Sequence, residues 1–591
     1  MENKYYTKER NAQIVIALLK EYGIRKVIAS PGTTNIAIVG SMMNDSFFEM
    51  YSAPDERSAA YMACGMAVES GEPVVLTCTG ATASRNYIPG LTEAFYRKIP
   101  VLALTSSFGI ERSGHLFPQF VDRTVQLKDM VKYSAQIPAI KTSDDEWNCV
   151  IKTNEAILEL NRDGGGPVHL NVITCGELYD FSVKTLPQVR MISRYTYASK
   201  LPEMPSGKIG IFVGSHLPFS ESLTECVDRF CEIYDAVVFC DHTSGYKGKY
   251  RLLYPILATQ TINDENTKLD LLIHLGEISG DYYTQPRLHA SKKVWRVSED
   301  GQIRDYFKRL ECVFQMREEH FFKSYLSRDY TPLTSYFEKC KAMIDGLRAN
   351  LPIFPFSNIW IASVMSSKLP ENSVIHLGIL NSLRSWNFFE IPRSVRAYCN
   401  VGGFGIDGDM STLLGASLVN KDKLYFGIFG DLAFFYDMNS LGNRHVGGNI
   451  RILLVNNGKG TEFRHYTHPG SKFGERADAY IAAGGHYGNK SPLLVKHYSE
   501  DLGFKYFSAS TKEDFMKHLD EFMDPCSCNQ PMLFEVFTNH EDENNALKAI
   551  STMVADKPDF LKSLRHTASQ IIKNAIGEEV YKAIKYEYIS K

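Results

Sequence analysis

The sequence predicts an α/β protein with three doubly wound domains, each built on a mainly parallel sheet. Short, wholly apolar segments alternate along the chain with stretches of helical periodicity, which is the pattern of buried parallel strands joined by crossover helices. Several of the apolar segments end in glycine or small polar residues, as strands do where they run into turns. The length of 591 residues is also more than one domain needs.

The composition excludes several classes of protein. A net charge of −3 provides no basic face, so we expect no nucleic-acid partner. No apolar run approaches the roughly 18 residues of a membrane span, and the first residues are too polar for a secretory signal. The 12 cysteines show no paired CxxC spacing. We therefore expect reduced thiols in a cytoplasmic protein, with neither zinc nor a disulfide framework.

Predicted strands and helices can be assigned in order along the first two thirds of the chain. Residues 9–22 have apolar positions at helical spacing, and Gly23 follows where a helix would end. The apolar segments that we interpret as strands begin at Lys26, Val74, Val101, Lys208, Ala236 and Leu271. The last three belong to a central section that contains no phosphate-binding loop.

The stretch 425–459 carries the clearest chemical pattern. It predicts a βαβ unit in which one strand ends at Asp431 and the next, Ile450 to Val455, runs into Asn457. Open α/β sheets bind ligands at the carboxyl ends of their strands. A carboxylate and an amide oxygen suit Mg²⁺, which takes phosphates among its remaining ligands. Alternatively, both are ordinary turn residues that cap the next element, and the stretch alone leaves the choice open.

A second motif permits a different function. Gly403, Gly405 and Gly408 form a GxGxxG pattern between a strand and a helix, with Asp431 about 20 residues further on. An NAD(P)-dependent dehydrogenase is therefore an alternative, although it gives Asn457 no role. A non-catalytic relative that keeps the fold as an interaction module is another.

Taken together, the motifs resemble those of the thiamine-diphosphate-dependent decarboxylase and acetohydroxyacid synthase superfamily. Within it they most resemble the menaquinone-pathway SEPHCHC synthases, which add a succinyl-semialdehyde carbanion to isochorismate. The matching segments are SPGT (30–33), DERSAA (55–60), Asn381-Ser382, GIDG (405–408), GDLAFFYDMNSL (430–441) and LVNN (454–457). The resemblance implies a pyrimidine-binding domain at 1–190, a central Rossmann-like domain at 191–345, a diphosphate-binding domain at 346–545 and a helical C-terminal tail at 546–591.

The same resemblance implies thiamine diphosphate and Mg²⁺ as cofactors and assigns residues to them. Glu56 would hydrogen-bond the pyrimidine ring and drive it to its imino tautomer, although a helix N-terminus also favours a carboxylate. Ile406 would hold the cofactor bent, unless it is a plain core residue. The metal would bind Asp431, Asn457 and the backbone oxygen of Lys459. The other cofactor contacts that the resemblance carries over are Gly32, Asn86, Gly405, Asp407, Gly430, Leu432 and Gly460.

The substrate motifs of the SEPHCHC synthases do not match. Thr33-Thr34 stands where that family has Ser-Arg, residues 106–109 where it has Ala-Asp-Arg-Pro, and Asn400-Val401-Gly402 where it has Asn-Arg-Gly. Arginine binds carboxylates bidentately, and the family's substrates are polycarboxylates. The absence of these three arginines therefore predicts that the substrates are not the menaquinone pair.

The predicted reaction is decarboxylation of a 2-oxo acid, with transfer of the carbanion to a proton or to an aldehyde or ketone acceptor. His115 and Gln119 fall where the family places a substrate-facing loop. A basic group of residues follows the metal motif and would suit a sugar or phosphorylated acceptor, although a solvated loop explains it equally well. This basic group consists of Lys459, Arg464, His465 and Lys472. The resemblance also implies a homodimer or homotetramer with the site between subunits.

Overall fold

Strands and helices alternate along the chain, and the strands form mainly parallel sheets. The computed structural model describes residues 5–174, 179–260, 264–327, 330–526 and 529–554. The chain divides into two units, of which the first takes in 1–196 and 301–313 and the second 197–300 and 314–591. These sheets confirm the predicted α/β class.

The first unit begins with a helix and then alternates between strand and helix until its fourth strand, with two helices before that strand. Its elements up to residue 196 are α1 (Arg10–Glu21), β1 (Lys26–Ala29), α2 (Ile36–Met43), β2 (Glu49–Ser52), α3 (Glu56–Ser70), β3 (Val74–Cys78), α4 (Thr82–Asn86), α5 (Ile88–Tyr96), β4 (Val101–Ser107), β5 (Tyr133–Ile137), α6 (Ser143–Glu159), β6 (Val168–Ile173) and β7 (Ser193–Thr196).

The rest of the chain supplies two more sets of strands. The elements up to residue 348 are β8 (Ile209–Val213), α7 (Glu221–Tyr234), β9 (Val237–Cys240), β10 (Arg251–Leu253), α8 (Pro255–Ala258), β11 (Leu271–Leu275), α9 (Thr284–Arg287), β12 (Lys293–Val297), β13 (Leu310–Gln315), α10 (Glu318–Ser324) and α11 (Ser335–Arg348). Those that follow are α12 (Asn358–Met365), β14 (Val374–Leu377), α13 (Asn381–Trp386), β15 (Arg396–Tyr398), α14 (Asp409–Ser417), β16 (Tyr425–Gly430), α15 (Asp431–Asp437), β17 (Ile450–Asn456), α16 (Ala477–Tyr480), α17 (Leu494–Asp501), β18 (Lys505–Ala509), α18 (Lys512–Met523), β19 (Met532–Phe537) and α19 (His540–Ser551).

The first sheet has the strand order β2-β1-β3-β4-β6-β5, and its neighbouring strands are parallel. Strand β2 lies on one side of β1 and β3 lies on the other. The direction in which successive strands are added to the sheet therefore reverses between β1 and β3. Apolar cores lie on both faces of the sheet. Strands buried on both faces are read as continuous apolar runs, which is why the sequence revealed them.

The last sheet has the order β15-β14-β16-β17-β19-β18 and is also parallel. Here the order reverses between β14 and β16. The loops that follow these two strands therefore diverge to opposite faces and leave a crevice at the carboxyl edge of the sheet, which is where open α/β sheets bind ligands. In the middle of the second unit, β10-β9-β8-β11-β12 form a parallel sheet with the same kind of reversal between β8 and β11.

Helix α3 shows how the local sequence sets the ends of an element. It begins after Asp55, whose side chain accepts a hydrogen bond from the Ser58 backbone N–H, and it ends at Gly71, which has a left-handed φ of 69°. An acidic N-cap and a C-terminal glycine are the favoured residues at these positions. The cap places Glu56 in the first turn of the helix.

In the described part of the chain, no helix has the length and apolar character that crossing a membrane requires. The predicted C-terminal tail is represented by α19 and the few residues after it, because residues 555–591 lie outside the described residues.

Helices α3 and α5 pack so closely that a glycine is needed between them. A Cβ atom on Gly90 would lie 2.4 Å from the Cβ of Ala60. We expect Gly90→Ala to destabilise the first unit by about 1–3 kcal/mol, because overpacking forces the helices apart. Gly415, in α14, has open space around its Cβ position. Gly415→Ala is the control and should stabilise its helix by about 0.5–1 kcal/mol. Urea midpoints of the two variants measure both effects, and equal stability of Gly90→Ala and wild type would contradict this packing.

Candidate functional site

A cavity of about 190 Å³ occupies the crevice between β14 and β16. Seven of the residues predicted to contact cofactor or metal line it: Ile406, Gly430, Asp431, Leu432, Asn457, Lys459 and Gly460. They come from three separate loops, and the reversal of strand order brings these loops together. The cavity is also lined by the Asn381-Ser382 pair at the start of α13.

Asp431 is the first residue of α15 and lies where β16 ends. It is 4% exposed, and its Oδ1 accepts a hydrogen bond from the Leu432 backbone N–H at 2.8 Å. Burial raises the pKa of Asp431 to about 7, although nearby backbone N–H groups act in the opposite direction. A cation beside this carboxylate would favour its charged form.

Asn457 provides a second oxygen in the same cavity. Its side-chain Oδ1 is buried and has no hydrogen-bond partner within the described ranges, while its Nδ2 donates to Thr461 Oγ1 at 3.4 Å. A buried acceptor oxygen without a partner is uncommon and calls for an explanation. An amide oxygen, a carboxylate and the backbone oxygen of Lys459 form the hard donor set that Mg²⁺ favours, so the residues present fit this ion. No group of three or more His, Cys, Asp or Glu side chains suited to a metal occurs among the described residues.

Ile406 lines the cavity and packs against the apolar core of this sheet. Ile406 is therefore both a core residue and a residue that faces the cavity, so the two interpretations of it are compatible. Gly405 and Asp407, on either side of it, do not line the cavity. A Cβ on Gly405 would lie 2.3 Å from Asp407 Oδ1, so a larger residue there would require the Asp407 side chain to move.

An ion pair that the sequence did not reveal forms one wall of the cavity. Arg384 donates two hydrogen bonds to Glu462, at 2.7 and 2.8 Å, and a third to Asn381 Oδ1 at 3.1 Å. Burial alone would raise the pKa of Glu462, but the hydrogen bonds and charge of Arg384 hold it below its usual value. His465 also contacts Asn381 Oδ1 through Nε2 at 2.7 Å.

The positive charge of the basic group predicted to receive a phosphate or sugar acceptor is partly compensated. Lys459 and Arg464 both form ion pairs with Asp478. Burial lowers the pKa of His465 to about 4, so this imidazole is neutral at physiological pH. Of the four, Lys472 alone is exposed, and it forms no ion pair with the residues that the structure describes. Asp478 of α16 faces two cations and compensates one of their two charges. Binding of an acceptor by this group stays a prediction, as does the alternative of a solvated loop.

The remaining predicted residues lie in the first unit. Glu56 is half-buried, and its Oε2 accepts a hydrogen bond from Asn86 Nδ2 at 3.2 Å. Gly32 lines a separate cavity of about 450 Å³, and a Cβ there would lie 2.3 Å from the Cβ of Thr79. His115 and Gln119 are both exposed in the loop between β4 and β5, where Gln119 has a φ of 59°.

Several cavity residues were not predicted. They are Asn358, Gly378, Thr461, Glu462, Phe463 and Glu543. Glu543 accepts hydrogen bonds from the Asn358 backbone N–H and from the Thr538 hydroxyl, and burial raises its pKa to about 7. The sequence held one usable signal for this group, since Thr461, Glu462 and Phe463 directly follow the predicted metal motif.

Comparison with known proteins agrees with this arrangement. Residues 10–127 match the model of the thiamine pyrophosphate enzyme N-terminal TPP-binding domain. A protein from Phocaeicola vulgatus named 2-succinyl-5-enolpyruvyl-6-hydroxy-3-cyclohexene-1-carboxylate synthase is 31% identical over 571 residues, which cover 92% of this chain and 98% of that protein. The chain belongs to this thiamine-diphosphate-dependent family. SEPHCHC abbreviates the product in its name.

Further SEPHCHC synthases match over the same extent. The protein of that name from Bacteroides thetaiotaomicron is 30% identical over 571 residues, covering 92% of this chain and 98% of the relative. The one from Porphyromonas gingivalis is 27% identical over 580 residues, covering 93% and 98%. The similarity therefore extends through both units of the chain.

These relatives overturn one prediction. We expected the substrates not to be the menaquinone pair, because three arginines are absent from the motifs of the SEPHCHC synthases. The relatives that match nearly the whole chain carry the SEPHCHC synthase name, so this prediction is wrong. The prediction assumed that the arginine must occupy the same position in the sequence. Binding a carboxylate requires only that a guanidinium reaches the same position in space.

The dehydrogenase alternative is not supported by the topology. In a dinucleotide-binding unit the glycine-rich loop follows the first strand of the order 3-2-1-4-5-6, and the acidic residue lies on the strand beside it. Here the GxGxxG of residues 403–408 follows β15, which is an edge strand. Asp431 follows β16, and β14 separates these two strands. The glycine pattern instead forms the turn that presents Ile406.

The Arg384–Glu462 pair gives a prediction about stability. Arg384 is 7% exposed, so Arg384→Gln would leave a largely buried carboxylate uncompensated and should cost about 3–5 kcal/mol. We expect Arg384→Gln/Glu462→Gln to recover part of this loss. Because the pKa of Glu462 is lowered in the folded state, the contribution is present at neutral pH and lost as the pH falls through that pKa.

Urea unfolding of the cofactor-free protein at pH 7 and pH 4 measures these effects. The Glu462→Gln variant completes the double-mutant cycle. If the changes in unfolding free energy of the two single variants simply add up to that of the double variant, the ion pair contributes nothing to stability.

Proposed function

We propose that the chain is a SEPHCHC synthase that uses thiamine diphosphate and Mg²⁺ to join the succinyl part of 2-oxoglutarate to isochorismate, with loss of CO₂. The observation that carries the proposal is the match to proteins of that name over 98% of their length, together with a cavity that holds a metal-type donor set. The product name describes a succinyl group on a cyclohexene carboxylate that also bears an enolpyruvyl group. The product therefore has three carboxylates.

The cavity supports a diphosphate-binding role for residues 346–545. Asp431, Asn457 and the backbone oxygen of Lys459 would hold Mg²⁺, and Mg²⁺ binds through few protein oxygens when phosphates complete its octahedron. Asn381 and Ser382 also line the cavity and lie at the start of a helix. Helix N-termini generally attract phosphate oxygens.

Glu56 is proposed to hold and move the proton of the pyrimidine ring. Its half-buried position at the start of α3 and its hydrogen bond from Asn86 orient the carboxyl group without neutralising its charge. When bound, thiamine diphosphate would supply the electron sink that stabilises the carbanion formed on loss of CO₂. The chain contributes orientation, exclusion of water and this proton-holding group.

The quaternary structure and the domain limits are part of the same proposal. We infer a homodimer or homotetramer in the cytoplasm, in which the pyrimidine-binding domain (1–190) of one subunit and the diphosphate-binding domain (346–545) of another build each site. The central domain (191–345) has no assigned ligand. Support comes from the resemblance to the family and from the presence of separate parallel sheets in these regions.

A direct assay tests the proposed reaction. Purified protein with thiamine diphosphate, Mg²⁺, 2-oxoglutarate and isochorismate should release CO₂ and form the tricarboxylate, detected by mass spectrometry. Asp431→Asn removes the charged metal ligand and should need far more Mg²⁺ for half-maximal rate. Asp422→Asn, an exposed aspartate before β16, is the matched control and should behave as wild type. CO₂ release without any adduct, or no turnover of this pair, would refute the proposal.

A second test addresses Glu56. Glu56→Gln should still bind thiamine diphosphate, measured by fluorescence quenching, but lose about 10²–10⁴-fold in kcat, since that is the usual contribution of a general acid or base. Glu69→Gln, at an exposed position further along α3, is the control. Unchanged kcat in Glu56→Gln would assign the proton transfer to another residue.

A further inference from the structure

Arg123 is a buried guanidinium without an acidic partner. It is 5% exposed and lies in the loop between β4 and β5. Its Nε donates to Ser84 Oγ at 2.8 Å and its Nη1 donates to Asn171 Oδ1 at 3.3 Å, so both bonding partners are neutral. Its Nη2 is buried and has no hydrogen-bond partner among the residues that the structure describes.

Other buried arginines in the described residues show what is unusual about Arg123. Arg194, in the same unit, pairs with Glu159, and Arg384 pairs with Glu462. Burial lowers the pKa of Arg123; the nearby Cys78 thiol acts in the opposite direction, and the positive charge of Arg85 adds a smaller lowering effect. A buried charge that nothing compensates is costly. The arrangement is explained if an anion binds there.

The free Nη2 faces a turn at the carboxyl edge of the first sheet. A Cβ on Gly80, just after β3, would lie 2.4 Å from Nη2 and 3.4 Å from the backbone oxygen of Ser106. The Gly80 N–H donates to Thr34 Oγ1 at 3.3 Å, and that hydroxyl donates to the Ser106 oxygen at 2.8 Å. Ligands of open α/β sheets bind at this edge, beside the strands where the order reverses, here β1 and β3.

This position lies beside two of the segments that lack a family arginine. Thr34 and Ser106 belong to two of the three segments in which the sequence lacks an arginine of the family motifs. Arg123 comes from elsewhere in the chain. Its Nη2 nevertheless lies beside the turn at Gly80, which is hydrogen-bonded to Thr34 and, through that hydroxyl, to Ser106. Arg85, exposed on α4, adds a second positive charge nearby and donates to the Asp122 backbone oxygen at 3.4 Å.

We propose that Arg123 binds a carboxylate of the substrate through Nη2 and replaces, from a different position in the chain, an arginine that the motifs lack. The inference rests on the proposed function, because a tricarboxylate product supplies the anion. The shape and the charge of guanidinium both suit a carboxylate. Arg123 is thus a specificity-determining residue, and it takes no part in proton transfer.

Steady-state kinetics at saturating thiamine diphosphate and Mg²⁺ test the proposal. Loss of one charged hydrogen bond should raise KM for 2-oxoglutarate or for isochorismate about tenfold or more in Arg123→Gln, with a smaller change in kcat. Arg123→Lys keeps the charge without the planar fork and should recover part of the loss. The control is Arg194→Gln, which also removes a buried arginine from the first unit and should leave both KM values unchanged.

A binding measurement separates this proposal from the proposed function. Thermal shifts of wild type and Arg123→Gln are recorded with 2-oxoglutarate and with isochorismate, each without turnover. Stabilisation of wild type but not of Arg123→Gln supports the carboxylate site, even if no product forms and the proposed function fails. Turnover by wild type, with the KM values and shifts of Arg123→Gln equal to those of wild type, overturns the role of Arg123 and leaves the function standing. Wild type that shows neither turnover nor any shift overturns both.

Discussion

The diphosphate-side cavity depends on one electrostatic constraint, the burial of Asp431 at the end of a parallel strand. A carboxylate that is 4% exposed is tolerated because backbone N–H groups point at it, yet burial still raises its pKa to about 7. Asn457 adds an acceptor oxygen that no group in the described part of the chain satisfies. Both residues follow directly after strands of one sheet, so the rigid β16–β17 pairing sets the distance between them.

The charges around this cavity are partly compensated within the protein. Arg384 is held by Glu462, and Lys459 and Arg464 share Asp478. These pairs shape the wall and leave one positive charge on the group formed by Lys459, Arg464 and Asp478. An anionic group would therefore be held by the metal site and by backbone N–H groups, together with this remaining charge. Arg123, in the first unit, differs because its two side-chain hydrogen-bond partners among the described residues are neutral.

The sequence predicted the parts of the structure that follow from local patterns. Strand β17 was predicted as Ile450 to Val455 and runs from Ile450 to Asn456, because a strand buried on both faces is an unbroken apolar run. The positions of Asp431 and Asn457 followed from it. The Arg384–Glu462 pair was not predicted, since its partners are 78 residues apart and neither lies in a periodic pattern. Arg123 was missed for a similar reason, because loop residues carry no periodicity that would show where their side chains point.

A second carboxylate in place of Asn457 would also bind a cation, but the amide beside Asp431 has a physical advantage. Two buried carboxylates would together neutralise a divalent cation, and each would raise the pKa of the other. One carboxylate and one amide leave about one unit of positive charge on the proposed metal, directed towards the cavity. A diphosphate is then attracted through the metal, and the low exposure of Asp431 and Asn457 strengthens that attraction by keeping water away. The Asp431–Asn457 pair therefore favours a cation that is shared with an anionic cofactor over one enclosed by protein ligands alone.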